Sequence, residues 1–392
     1  MSSFSYFQHV TPAFRTYCGE GALKALPREM DRVGSHRVVL ICDPWMLNRP
    51  DILDSIVSEL GSRFVGQFTD VEVHSPVPSV LKARDHLEEL DADAVIALGG
   101  GSSIVTTRAA TILLAEKRGP RELCTQRNEQ GKLVSPKLSA PKIPNWVIPS
   151  TPITAYAKAG SAIRDPESGD RLALFDPKTR AQGVFFDPVV ALTAPVGLAS
   201  SAGLNAFSMS VEGIQAGADD PLADALLEHA LRVLSTWLPR LMSAPEDPEP
   251  RLRLMIGALL CGQGSDYTGG GLAQALSHAT GPRSSVANGI AEALLLPHTM
   301  RFNAPKTTKR LGIVASVLDR SVDPELGDEQ QALASVGRFL DSLEVPRRLR
   351  DIGVAEGVIV EIVDHALEDW SVYQSPRPID REGLTQILEQ AW

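Results

Sequence analysis

The first half of the chain repeats one pattern: a short apolar run, a turn residue, then an amphipathic helical segment. Arg37-Val-Val-Leu-Ile-Cys42 is a β-branched run that ends at Asp43-Pro44, and Asp93-Ala-Val-Ile-Ala-Leu98 is another that ends at Gly99. Between them, Val80 to Leu90 has helical spacing, with Leu81, Leu87 and Leu90 set among charges. A third run, Asn145-Trp-Val-Ile148, leads into Pro149-Ser-Thr-Pro152. Strands separated by helical segments predict an α/β domain built on a doubly wound parallel sheet. Its ligand is expected at the carboxyl ends of the strands.

After Phe185-Phe-Asp-Pro188 the character changes. Leu222 to Leu241 and Leu252 to Gly262 read as helices joined by the acidic, Pro-rich turn Ala244 to Pro250, and helical patterns continue from His365 to Trp392. At 392 residues the chain exceeds one usual core. The expected division is a dinucleotide-binding α/β domain over 1–190 and an all-helical substrate domain over 191–392. Lys117 to Lys142 carries seven basic and two acidic residues and reads as a solvated loop.

A formal charge of −10 excludes the basic face of a nucleic-acid binder. The four cysteines form no Cys-x-x-Cys pair, as expected of reduced thiols. The start has no basic region followed by an apolar run, and no stretch is apolar for long enough to span a membrane. A cytoplasmic protein with no membrane partner is the expectation.

Gly99-Gly100-Gly101-Ser102 is the best local cofactor signal. Residues without a Cβ let the backbone approach a pyrophosphate, and a helix starting at about Ser103 would offer unpaired N–H groups to the anion. A Gly-rich turn after a strand is also often only a turn. Asp43, at the end of an earlier strand, can accept hydrogen bonds from an adenosine ribose and repel a 2′-phosphate, or can simply form the turn before Pro44.

Two further stretches carry a family likeness. Gly203-Leu-Asn-Ala-Phe-Ser-Met-Ser-Val-Glu212 is the first, and the second runs from Gly271 through Ala-Leu-Ser-His278 and Asn288 to Leu294-Leu-Leu-Pro-His-Thr-Met-Arg-Phe-Asn303. With the Gly99 turn and the tail Ser375-Pro-Arg-Pro378, they resemble the iron-containing (group III) alcohol dehydrogenase family from about Phe14 to Trp392. The resemblance implies NAD(P) bound through the Gly-Gly-Gly-Ser turn. Asp43 selects NAD, and Ser150, Thr151, Thr154 and Arg171 serve as further cofactor contacts. It also implies a metal held by an Asp and a His four residues on, then by two His fourteen residues apart. Asn205, Met209, Gln274 and Asn288 stand at those places. Amides and a thioether are poor ligands for iron or zinc, so no metal is expected. The family's Asp and Lys after the glycines are replaced by Val105 and Arg108.

His278 matches a second family His placed beside the substrate, four residues after Gln274 and on the same helical face. It is expected to give a proton to the substrate oxygen, while Asn205, Gln274 and Asn288 point amide donors where a metal would stand. The bland reading is a core His beside a self-satisfied polar network. Arg283 and Lys158 are expected to bind a substrate carboxylate, with Tyr156 and Met209 also against the substrate. The remaining histidines, His298 among them, show no ligand spacing.

The maleylacetate reductases, a branch of this superfamily acting on a dicarboxylic keto acid, also show Asn at the first of these positions. The combined expectation is a metal-independent, NAD(H)-linked oxidoreductase reducing a ketone or aldehyde of a small anionic molecule, as a homodimer. The alternatives are a lyase or isomerase that retains bound NAD, as dehydroquinate synthases do, and a non-catalytic binder of nucleotide or metabolite.

Overall fold

The computed structural model describes residues 6–130, 133–216, 219–318 and 325–392. The chain divides into two compact units, one of Pro12–Thr151 with Ala155–Ala194, the other of Met1–Thr11, Pro152–Thr154 and Pro195–Trp392. The start of the chain and Pro152–Thr154 therefore group with the helices, and the main boundary falls after Ala194.

Among the described residues the first unit holds ten strands: β1 (Arg15–Cys18), β2 (Val38–Cys42), β3 (Phe64–Phe68), β4 (Ala94–Gly99), β5 (Gln126–Arg127), β6 (Leu133–Val134), β7 (Asn145–Pro149), β8 (Gly160–Arg164), β9 (Arg171–Phe175) and β10 (Gly183–Phe186). Six form one sheet in the order β1-β10-β7-β4-β2-β3, and every neighbouring pair is parallel. The pairs β5–β6 and β8–β9 are antiparallel. Alternate residues of the central strands enter opposite cores: Leu40, Ile96 and Trp146 pack with Met30 and Ile56, whereas Ile41 and Val95 pack with Val80, Leu87 and Ile112. Both faces are covered, which is why these strands are apolar throughout rather than alternating.

The register aligns the strand ends that matter. Cys42 pairs with Leu98 and Gly99 with Pro149, so Asp43, Gly99 and Ser150 emerge side by side. From β2 the chain runs outward to β3 and returns to β4 on the other side of β2. The ends of β2 and β4 thus flank the point where the winding reverses, the usual ligand crevice of such sheets.

The basic segment is more than a solvated loop. It contains the helix Pro120–Leu123 and two short strands, and the Lys142 side chain is fully buried between Glu116 (2.6 Å) and Asp176 (2.9 Å). Paired on two sides, a buried ammonium is tolerated. Residues 131 and 132 of that segment lie outside the described residues.

The second unit is helical. Its elements include Val196–Ala216, Pro221–Ser243, Pro248–Thr268, Leu272–Thr280, Asn288–Leu318, Asp328–Ser342, Ile359–Leu367 and Arg381–Ala391. Asp220 and Asp247 each cap the helix that follows, with Pro at its first position. The acidic, Pro-rich turn is therefore a helix start signal. Val196–Ala216 and Asn288–Leu318 meet closely at Gly289, where a Cβ would lie 1.9 Å from the Ser201 carbonyl oxygen. Among the described residues no helix is long and apolar enough to cross a membrane.

Candidate active site

Two places in the fold gather the residues singled out above, one in each unit. In the sheet unit, β4 ends at Gly99 and the helix Gly101–Glu116 begins two residues later, a little before the expected Ser103. Gly99 has φ +128°, and a Cβ there would lie 2.4 Å from Asp43 Oδ2, so conformation and space both require glycine. The helix start has no side-chain cap and no acidic residue in its first turn. Its amides are thus suited to an anion, and the turn fits a nucleotide pyrophosphate.

Asp43 is occupied locally. Its Oδ1 accepts from Ser103 Oγ (2.8 Å) and its Oδ2 from Gly100 N (3.2 Å), which fixes the turn. Ser102 Oγ accepts from the His74 backbone N–H (3.2 Å), and Ser150 N donates to the Gly99 carbonyl (3.0 Å). Thr151 is buried, with its hydroxyl over Gly100. Arg171 begins β9 and is exposed. Burial, then the charges of Arg164 and Arg171, hold the His74 imidazole below its usual pKa, so Arg171 contributes positive charge near the turn. Arg108 turns inward and donates to the carbonyls of Gly160 (2.6 Å) and Ala155 (2.7 Å), binding the helix to its neighbours.

In the helical unit, Asn205, Met209 and Glu212 lie along one face of Val196–Ala216, Gln274 and His278 along one face of Leu272–Thr280, and Asn288 and Glu292 along one face of Asn288–Leu318. Gln274 Nε2 donates to Met209 Sδ (3.4 Å), and Thr154, expected at the cofactor, places its hydroxyl 3.7 Å from the same sulfur. Ser371 Oγ donates to Gln274 Oε1 (3.1 Å), and Asp369 accepts the Ser371 backbone N–H (2.9 Å). The second Asp369 oxygen lies 2.6 Å from His278 Nδ1. His278 is thus an oriented imidazole, tied through Asp369 and Ser371 to Gln274, and neither partner was singled out from the sequence.

Two buried carboxyls were also missed. Glu212 accepts the backbone N–H groups of Ala273 (2.7 Å) and Gln274 (3.2 Å), so it caps the helix that carries Gln274 and His278. Burial pushes its pKa up to about 7 against those two bonds. Glu292 is fully buried, accepts a short hydrogen bond from Asn205 Nδ2, and has an Oε1 with no partner among the described residues. Burial, then the Glu212 carboxylate, raise its pKa well above the usual range, while the Asn205 amide opposes. Burial and the neighbouring Glu212 charge thus favour the protonated form of Glu292. A hydrogen-bonded position one turn from Asn288 was the only sequence signal available for it.

Other expected site residues have local surroundings of their own. Asn288 is exposed at the start of its helix, with its amide against Gly281. Arg283, expected to bind a substrate carboxylate, donates to the Ala279 carbonyl (2.8 Å) and approaches Glu361 (3.4 Å) and His365 (3.3 Å) at the end of Leu272–Thr280. Tyr156 is fully buried, edge-on to Phe186 at 5.5 Å between ring centroids, in the core of the sheet unit. Lys158 is half-buried in the sheet unit. As donors, Asn205, Met209, Gln274 and Asn288 offer amide and thioether groups, and among the described residues no group of three or more His, Cys, Asp or Glu is arranged to hold a metal ion.

Comparison with known proteins agrees along the chain. Maleylacetate reductase 1 of Cupriavidus pinatubonensis is 28% identical over 382 residues, covering 96% of this chain and 95% of its own. The NAD-dependent methanol dehydrogenase of Bacillus methanolicus is 22% identical over 383 residues, covering 95% and 97%. The crystal structure of a 1,3-propanediol oxidoreductase shares the fold, with a TM-score of 0.89 at 19% identity, covering 99% of this chain and 100% of that one. Residues 12–188 match "Iron-containing alcohol dehydrogenase" and residues 199–392 match "Fe-containing alcohol dehydrogenase family, C-terminal". With both the sheet unit and the helical unit matched, the chain belongs to the iron-containing alcohol dehydrogenase family.

Proposed function

We propose that this protein is a metal-independent, NAD(H)-linked oxidoreductase that reduces a ketone or aldehyde group on a small anionic molecule. The observation that carries the reading is the linked set Asn205–Glu292, Met209–Gln274–Ser371 and Asp369–His278. It offers hydrogen-bond donors and an oriented imidazole, and its donors do not fit iron or zinc, which favour carboxylate, imidazole and thiolate.

When bound, the nicotinamide supplies the hydride. As the carbonyl carbon accepts it, the π pair moves onto oxygen, and the developing charge needs donors already in place. The Asn205 and Gln274 amides meet that need. With Nδ1–H donating to Asp369, the imidazolium form of His278 gives its Nε2 proton to the substrate oxygen, leaving an alcohol and a neutral ring. Glu292, with its protonated form favoured by burial, keeps Asn205 oriented through the hydrogen bond it accepts from Nδ2.

The preference for NAD(H) rests on Asp43 at the end of β2, whose carboxylate disfavours a 2′-phosphate. The keto-acid substrate class rests on likeness to the maleylacetate reductase. The test is incubation of purified protein with NADH and a panel of keto acids and aldehydes, with and without chelator. Oxidation of NADH by at least one keto acid, unchanged by chelator, is expected. No turnover on any member, or turnover only after iron or zinc is added, would overturn the proposal.

A further inference from the structure

A cavity of about 240 Å³ lies within the helical unit, between the helix Asn288–Leu318 and the segment at Val345 to Arg348. None of its lining residues belongs to the Asn205 cluster. His298 stands six residues after Glu292, about 9 Å further along the axis and on a different face, so the cavity is a separate place. Leu294 and Leu340 form an apolar floor, while His298, Arg301, Arg347 and Arg348 supply its polar wall.

The charge balance of this cavity is one-sided. No Asp or Glu lines it, among the described residues. Arg347 is paired at the rim with Asp341. Neither the Arg301 nor the Arg348 guanidinium has a hydrogen-bond or ion-pair partner among the described residues. Both act on one point: burial, then Arg301 and Arg348, hold the His298 imidazole down to about 4, so it is neutral. His298 Nδ1 is buried with no partner among the described residues. Two cations facing one half-enclosed space without a counter-charge repel each other, and an anion between them removes that repulsion.

We infer that this cavity is a second, non-catalytic ligand site that takes a small oxyanion, a phosphate or carboxylate group, between Arg301 and Arg348 with His298 as its hydrogen-bonding wall. Guanidinium forks match the two oxygens of either group. The volume lies below the roughly 300–1,000 Å³ of drug-sized pockets, so the ligand is small.

The experiment is calorimetric titration of the full chain with inorganic phosphate and with malonate, each against chloride at matched ionic strength, alongside the ring resonances of His298. Saturable binding that shifts the His298 resonances is expected, as is a weakening of about tenfold in Arg301→Ala or Arg348→Ala, with a smaller change in Arg347→Ala. Response to phosphate alone assigns a phosphate group, and response to malonate alone a carboxylate. Absence of saturable binding by either anion, an unmoved His298 resonance, or equal binding in the Arg301→Ala/Arg348→Ala double variant would overturn the inference.

Discussion

Replacing Glu212 by Gln isolates the energetics of one buried charge beneath the candidate active site. In the folded chain this carboxyl titrates at about 7, and its ordinary value is 4.5. A folded value above the unfolded one means that the folded state holds the proton more tightly. Glu212 therefore contributes most below about 4.5, the contribution declines as pH rises, and it is fully lost above about 7. That displacement corresponds to roughly 3 kcal/mol at about 1.4 kcal/mol per pH unit. Glutamine keeps the shape and one acceptor for the N–H groups of Ala273 and Gln274, and its effect is a pH-independent offset. Urea unfolding of both proteins from about pH 4 to about pH 8 gives the double difference, in which most other titrations cancel. Wild type should lose roughly 3 kcal/mol relative to Glu212→Gln across that range. Glu292 adds to the loss, because the Glu212 charge helps raise it. A difference that stays flat with pH would show that Glu212 ionises as it does in water, and would refute the reasoning.

Three further outcomes follow from the two sites. His278→Ala should lower kcat by about a hundredfold to ten-thousandfold while nucleotide affinity stays within about twofold; full turnover would make His278 a core residue. Asp369→Asn keeps the contact with His278 but removes the charge, so kcat should fall about tenfold or more with KM little changed, and a change in KM alone would contradict the orienting role. NADH should bind more tightly than NADPH to the unmodified protein, and Asp43→Ala should weaken both nucleotides by about tenfold, since Gly100 and Ser103 lose their acceptor. Unchanged NADH affinity in Asp43→Ala would mean that the turn holds its shape unaided.

Much of the sheet was legible because its central strands announce themselves. β2, β4 and β7 are apolar on both faces, and each ends at a turn residue. β1 and β3 are edge strands in which half-buried residues break the apolar run, and Arg15-Thr-Tyr-Cys18 reads as no more than a polar stretch. β10, only four residues long, merges with the end of the domain. Around the candidate site, helical spacing put Asn205 and Met209 on one face, and only the family resemblance set Gln274 beside them, where its Nε2 meets Met209 Sδ. Neither was enough for Asp369, which lies 91 residues from His278 and meets it only through tertiary packing. The burial of Glu212 and Glu292 was equally hidden, because a Glu on a helix ordinarily faces water. The local partners of Arg283 at Ala279 and Glu361 and of Tyr156 at Phe186 also depend on tertiary packing that residue spacing does not carry.

Metal independence is the central claim, and the most direct measurement is turnover by protein whose metal content is known. The purified chain, treated with chelator and checked by elemental analysis, is assayed with NADH and the keto acid that supports turnover. With amide and thioether groups at Asn205, Met209, Gln274 and Asn288, full turnover at far below one iron or zinc per chain is the predicted result. About one tightly held divalent metal per chain, with turnover that disappears on its removal and returns when it is restored, would contradict the account.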